Sequence, residues 1–184
     1  MRTRISVAVV AMAAVLGVSS ATASVATLKA TSRARSENLV QVAAADSQLS
    51  TLVTLVKKAG LVMTLSSPGA HLTVFAPDNA AFAALKKADP MTFNAVATTP
   101  ALLKKVLTYH VLASEVEAPA AIALADKHGS VATVEGEKIA LSVKGGNLFL
   151  NGSAEVIKAD VSASNGVIHI IDAVLVPPSV KVNG

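Results

Sequence analysis

The chain has 184 residues, which is enough for one domain with an apolar core and too few for two. It contains no cysteine, so disulfide bonds, thiolate metal ligands and cysteine nucleophiles are all excluded. The formal net charge of +4 arises at the N-terminus, because five of the 16 basic residues and no acidic residue lie in positions 1–36. The remainder has 11 lysines, no arginine and 12 acidic residues, and this near neutrality argues against nucleic acid as a partner.

Residues 1–23 have the pattern of a secretory signal peptide. Arg2 and Arg4 precede an apolar run that is too short to span a membrane, and Ala21 and Ala23 supply the small side chains required before a cleavage site. The sequence therefore predicts a secreted protein, extracellular or periplasmic, without a transmembrane segment. The same residues are rich in serine, threonine and arginine, so a transit peptide to an organelle lumen is the alternative.

The next part of the chain is predicted to be a flexible lead, followed by a helix. Residues 24–37 are small, polar and basic without periodicity. An amphipathic helix then begins at an N-cap, Asp46 or Ser47, and stops at Gly60. Its apolar side chains recur at helical spacing: Leu49, Leu52, Val53 and Val56.

A short strand and three more helices are predicted next. The apolar run at residues 72–75 indicates a buried strand that Pro77 ends. Asp78 or Asn79 can cap the following helix, which turns Phe82 towards the core. The later helices are predicted at 91–97 and 101–108, opened by Pro90 and Pro100, and a further helix-prone stretch covers 119–125.

The last third of the chain is predicted to be all strand. Turn pairs that supply positive φ, such as Asn151-Gly152 and Asn165-Gly166, separate the apolar runs. The final run is apolar on both alternating faces, so it is predicted to be a central, buried strand. The predicted strands are 131–134, 138–143, 148–150, 154–157 and 167–176.

Four blocks of this sequence, in this order, resemble the fasciclin domain family. They read ADSQLSTLVTLVKKAGL, TVFAPDNAAFAAL, LLKKVLTYHVL and NGSAEVIKADVSASNGVIHIIDAVLVPP. The resemblance covers residues 38–178, leaves 179–184 as a tail, and is to single-domain secreted members such as those of bacteria and algae. It implies an α+β fold, a β-sandwich or wedge with helices packed on one side, with the first and last blocks on adjacent strands.

The resemblance also implies a function in binding. Family members are non-enzymatic and act in cell adhesion or extracellular protein and matrix interaction, so cell-surface or matrix proteins or glycans are the expected partners. The alternative is a binder or carrier of an apolar small molecule such as a carotenoid or lipid, and a purely structural envelope protein is a third possibility. A single domain without an Arg-Gly-Asp triplet weakens an integrin interpretation.

Three residues are candidate adhesion contacts. Tyr109 and His110 match the tyrosine-histidine motif of the family, and Asp78 is the third, although helix capping is its simplest role. The sequence places His110 and His169 on apolar strands with no third ligand, so neither a metal nor a cofactor is expected. The remaining motif residues are predicted to be structural: Thr73, Phe75, Pro77, Phe82, Asn165, Gly166, His169 and Asp172.

Two further patterns concern modification and catalysis. Asn151 opens an Asn-Gly-Ser sequon at a predicted hairpin tip and is a candidate glycosylation site. Asp160 and Asp172 are predicted to orient backbone or histidine neighbours rather than act as an acid and base. No serine lies in a Gly-x-Ser-x-Gly elbow and no phosphate-binding glycine loop is present, so the chain is not expected to be an enzyme.

Overall fold

The computed structural model describes residues 37–180, in which helices dominate the first half and strands the second. The predictions for residues 1–23 and 24–36, and most of the predicted tail, lie outside the described residues. Within them the helices are α1 Leu39–Ala45, α2 Ser50–Lys58, α3 Val62–Ser66, α4 Asn79–Ala88, α5 Pro90–Thr98, α6 Pro100–Tyr109 and α7 Ala118–Ala125. Two 3-10 turns, Ser47–Leu49 and Pro178–Val180, complete the helical structure.

The described strands form one nearly closed sheet. In chain order they are β1 Leu72–Pro77, β2 Val111–Leu112, β3 Ser130–Ala132, β4 Lys138–Lys144, β5 Asn147–Leu150, β6 Ala154–Ala163 and β7 Gly166–Ile171. Their spatial order is β2-β1-β7-β6-β5-β4-β3, and a bridge between Leu112 and Thr133 brings the two ends of the sheet together. This is the α+β architecture of strands flanked by helices that the resemblance implied.

Strand β7 is an interior, fully buried strand of the sheet, as predicted. It pairs in parallel with β1 and antiparallel with β6, and all six of its residues are buried. A strand covered on both faces needs apolar side chains on both of them, and Val167, Ile168, Ile170 and Ile171 supply these. The one buried polar side chain of β7, His169, is hydrogen-bonded through both ring nitrogens.

Two strand predictions were wrong in detail. The last strand ends at Ile171 rather than at residue 176, because Asp172 turns its carboxylate to the backbone N of Glu155 (2.7 Å) and the chain then leaves the sheet. The neighbour of the last block is β1, which belongs to the second block, whereas the first block is helical. Long-range pairing decides both points, and local apolar patterning does not report it.

The described core has two clusters, one on each side of the sheet. The first lies between the helices and β1 and β7, and includes Leu49, Leu103 and Ile168. The second is enclosed by the curved sheet and α7, with Phe75 and Tyr109 as its large rings. The first cluster also contains Val180, which is 4% exposed, so packing continues two residues beyond position 178.

The helix starts follow the capping chemistry read from the sequence. Asp46 accepts a hydrogen bond from the backbone N of Gln48, and Asp78 accepts one from Ala81 N at 2.6 Å. Pro90 and Pro100 occupy first-turn positions of α5 and α6, where the missing N–H costs nothing. These local signals position the helices against the sheet.

Candidate functional site

The tyrosine-histidine motif lies at the end of α6 and not on a strand. Tyr109 is the last residue of the helix and His110 is the residue that caps it, so the prediction of a strand at His110 was wrong. The helix continues to this point because Leu103, Val106 and Leu107 keep its buried face in register. Tyr109 is 1% exposed and His110 is 2% exposed, so neither side chain is available to a partner.

The imidazole of His110 is fully hydrogen-bonded. Its Nε2 accepts from the backbone N of Leu175 (3.0 Å), which places the ring proton on Nδ1, and Nδ1 donates to the carbonyl of Val106 (2.8 Å). Burial lowers the pKa of His110 to about 4. The ring is therefore neutral at physiological pH, and neither nitrogen is left for a metal ion.

This geometry predicts a loss of stability in mild acid. The pKa of His110 is 6.5 in the unfolded chain and about 4 in the folded one, so the unfolded chain binds the proton more readily. Its contribution to the free energy of unfolding is complete above pH 6.5 and falls by on the order of 3 kcal/mol as the pH drops towards 4. Urea unfolding at several pH values measures this slope.

Two variants isolate the contribution of His110. His110→Gln should flatten the pH dependence between pH 6.5 and 4, even if it lowers stability overall. His128→Gln is the matched control, because it removes an exposed histidine and leaves His110 in place, so the slope should stay unchanged. Equal slopes in the wild-type chain and His110→Gln would contradict the prediction.

The hydroxyl of Tyr109 joins α6 to the far end of the sheet. It donates to the carbonyl of Lys138 (3.1 Å) and accepts from Nδ2 of Asn151 (3.0 Å), and burial raises the pKa of this phenol. Asn151 occupies the left-handed region (φ 51°) at the β5–β6 turn, and its Oδ1 accepts from Ala140 N. Asn151 is exposed at the hairpin tip, and its glycosylation stays a prediction.

A groove of about 360 Å³ lies beside the Tyr109 ring. The β4 and β5–β6 side supplies Lys138, Asn151 and Ser153, which are polar, and the helix side supplies Asp89. The remaining lining is apolar: Leu85, Val174, Leu175, Val176 and Pro178. Its volume lies within the range of ligand-binding pockets, and sequence reasoning missed it because its walls are far apart in the chain.

The second buried histidine, His169, helps to hold the loop before α7. Its Nε2 donates to Val116 O (2.8 Å), and its Nδ1 accepts from Asp160 N (3.3 Å). Thr73 donates to Ser114 O and accepts from Val116 N, both at 2.8 Å. Both ring nitrogens of His169 are therefore hydrogen-bonded to backbone groups, as those of His110 are. The two histidines have different partners and do not form a joint site.

The remaining predicted site residues also contact the protein itself. The carboxylates of Asp78 and Asp172 accept from backbone N–H groups, and the Asp160 carboxylate accepts from Ala118 N at 2.8 Å. Phe75 stacks on the His169 ring with centroids 5.7 Å apart. Pro77 is buried at the end of β1, and Phe82 is 7% exposed in the first core cluster.

Sequence reasoning also missed a role of Asn79. Its Nδ2 donates to Ser47 O and its Oδ1 accepts from Thr51 N, both at 3.0 Å, so it fastens α4 to the start of α2. An Asx residue next to a helix cap is the signal that could have pointed to this contact.

Residues 37–180 can also be examined for a metal site, a membrane-spanning helix and an internal ligand cavity. No group of three histidine or acidic side chains there is arranged to hold a metal ion. No single described helix has the length and hydropathy to cross a bilayer. The segments Leu39–Ala45 and Ser47–Lys58 meet both criteria only when they are taken together, and the angle between them is 105°. Two apolar cavities in the described core measure about 30 Å³ each, which is room for a molecule about as small as water.

Fold and site together define an α+β scaffold domain whose buried polar side chains hold its own backbone. Residues 47–177 match the family model of the fasciclin domain, and the chain belongs to the fasciclin domain family. Proteins of this family include adhesion molecules, and its domain is generally not enzymatic.

Known proteins of similar sequence and structure agree with this assignment. The chain is 45% identical over 140 residues to protein sll1483 of Synechocystis, covering 76% of this chain and 73% of that protein. It is 35% identical over 150 residues to the immunogenic protein MPB70 of Mycobacterium bovis, covering 78% and 72%. A solved FAS1 domain pair from the insect cell adhesion molecule Fasciclin I superposes with a TM-score of 0.68 at 18% identity, over 79% of this chain and 53% of the pair, and shows the same fold.

Proposed function

We propose that this chain is a secreted, non-enzymatic interaction module that attaches to proteins of a cell surface or matrix. The predicted export signal and the family support secretion and adhesion. The observation that carries the proposal is the mixed polar and apolar groove of about 360 Å³ beside Tyr109. It offers a partner both hydrogen-bonding groups and apolar surface, as recognition sites do.

In this proposal the tyrosine-histidine motif acts as a support rather than as a contact. Both side chains are buried and hydrogen-bonded, so a partner would meet the exposed walls that they hold in place. Asp78 likewise caps α4 and is half-buried. Substitution of Tyr109 or His110 would then weaken attachment by loosening the groove, together with the stability of the domain.

The experiment is a binding assay on cells and on matrix with the purified chain. Because one domain gives weak attachment, the chain is tested both as a monomer and clustered on a multivalent carrier. Binding that rises steeply with clustering supports the proposal. If neither form binds to cells or to matrix above an unrelated protein of equal charge, the adhesion function is wrong.

The carrier hypothesis finds less support in the described residues. A carotenoid or lipid tail needs an apolar cavity of several hundred Å³. The apolar cavities there hold about 30 Å³ each, and the lining of the larger groove is half polar. Pigment in an organic extract of protein from its native source would reverse this preference.

A further inference from the structure

After β7 the backbone is extended but does not pair with any strand of the sheet. Val174 to Pro177 run without a turn or bend, and the prolines at 177 and 178 restrict the residue before each of them to extended backbone. Leu175 N donates to His110 Nε2. The N–H and C=O groups of Val174 and Val176 make no hydrogen bond to any described residue.

These open groups lie on one edge of the segment. Successive N–H groups of an extended chain point to opposite edges, so Val174 and Val176 present theirs away from the edge that Leu175 turns to His110. Unpaired backbone groups at alternate positions are the template on which a further strand forms. All three residues also line the groove beside Tyr109, so the open edge borders a cavity of about 360 Å³.

Two charged side chains, Lys138 and Asp89, line the groove. Lys138 lines it, is exposed, and forms no ion pair with another described residue. Asp89 lies on the opposite side, and its carboxylate is engaged by Thr92 N at 2.9 Å. The ammonium of Lys138 is therefore the positive charge in the groove lining, and a partner carboxylate would bind on the β4 side, away from Asp89.

We propose that this groove binds an extended segment of a partner protein, which pairs with the backbone of Val174 and Val176 and places a carboxylate on Lys138. Donors and acceptors that alternate at strand spacing match a peptide backbone, and the apolar lining accepts its alternate side chains. A saccharide lacks this regular spacing. The inference rests on the proposed function and names the site and the partner chemistry for it.

The first experiment uses a synthetic probe with the full chain. The probe is an acetylated, amidated hexapeptide of alternating valine and threonine with one central glutamate. Titration followed by backbone amide NMR should give saturable shifts at Val174 and Val176, and amide exchange there should slow by about tenfold or more. The same peptide with N-methylated backbone keeps its side chains, loses its donors, and should bind at least about tenfold more weakly.

Protein variants test the charge. Lys138→Gln keeps the backbone carbonyl that holds Tyr109 and should weaken the glutamate peptide about threefold, with no effect on a glutamine version of the peptide. Lys158→Gln, an exposed lysine on β6, is the matched control and should change neither affinity. Melting temperatures measured alongside show that both variants remain folded.

Several outcomes would overturn the inference. These are no saturable binding at millimolar peptide, equal binding of the N-methylated peptide, or shifts confined to other strands. Amides at Val174 and Val176 that are protected before any peptide is added, and released by deleting residues 181–184, would show that the chain's own tail occupies the groove. Failure of adhesion on cells with peptide binding intact would reject the proposed function and leave this site standing.

Discussion

Replacing Gly166 with alanine is expected to cost more than about 4 kcal/mol of folding free energy, or to prevent folding altogether. An added Cβ would lie 1.9 Å from the carbonyl oxygen of Leu72 and 2.8 Å from its carbon, and both are backbone atoms of the paired strand. The φ of Gly166 is also +148°, which L-residues rarely adopt. Urea unfolding followed by far-UV circular dichroism measures the loss.

Gly136 is the matched control for this variant. Its φ of +111° is also unfavourable for alanine, but an added Cβ meets nothing within 4 Å. Gly136→Ala should therefore cost about 1–2 kcal/mol, which is the backbone penalty alone. The difference between the two variants measures the overlap with Leu72, and equal costs would show that β1 and β7 can separate easily.

Replacing Asn165 with alanine is expected to cost about 3–5 kcal/mol. Asn165 is 1% exposed, and its Oδ1 accepts from Leu39 N (2.9 Å). Its Nδ2 donates to the carbonyls of Leu65 (2.9 Å) and Ser67 (3.1 Å). Alanine would leave these groups without a partner, so α1 and α3 would lose their polar attachment to the β6–β7 turn.

Asn147→Ala is the control for this variant, because it also removes a side-chain amide but from an exposed position. Asn147 is exposed on β5 and makes one side-chain hydrogen bond, from Nδ2 to Glu155 (2.7 Å). Asn147→Ala should cost less than about 1 kcal/mol. Amide exchange at Leu39 should accelerate only in Asn165→Ala, and unchanged exchange there would contradict the proposed attachment.

The helices could be predicted from the sequence because their signals are local. Asp46 and Asp78 are caps within three residues of the N–H groups that they accept from, and a proline in the first turn marks its helix directly. The burial of β7 on both faces was also predictable, because apolar side chains such as Ile168 and Ile171 occupy both alternating faces of the strand.

The errors arose where distant residues decide the local structure. The apolar run at residues 109–112 looks like a strand, yet α6 includes Tyr109 because its hydroxyl and ring are held by β4 and the hairpin tip. Strand β6 extends to Ala163, six residues beyond the prediction, because bulges between Lys158 and Val161 interrupt the alternation that marks a strand.

The motif residues could be identified from the sequence, whereas the groove could not, and the roles of the motif residues in binding stay predictions. The side chains of His110, Asn165 and Asp172 form hydrogen bonds with backbone groups of the domain itself. The groove itself has walls from α4, β4, the β5–β6 turn and the segment after β7. No spacing in the sequence connects these four places, since only the closed sheet brings them together.

The parallel pairing of β1 with β7 also governs when this domain can form. Residues 72–77 find their central neighbour only at residues 166–171, near the end of the described chain. During synthesis the helices can form early, but β7, the partner of β1, is the last of the described strands to be made. A chain interrupted before Gly166 would thus expose the apolar face of β1, and assembly of the domain is a late, nearly all-or-none event.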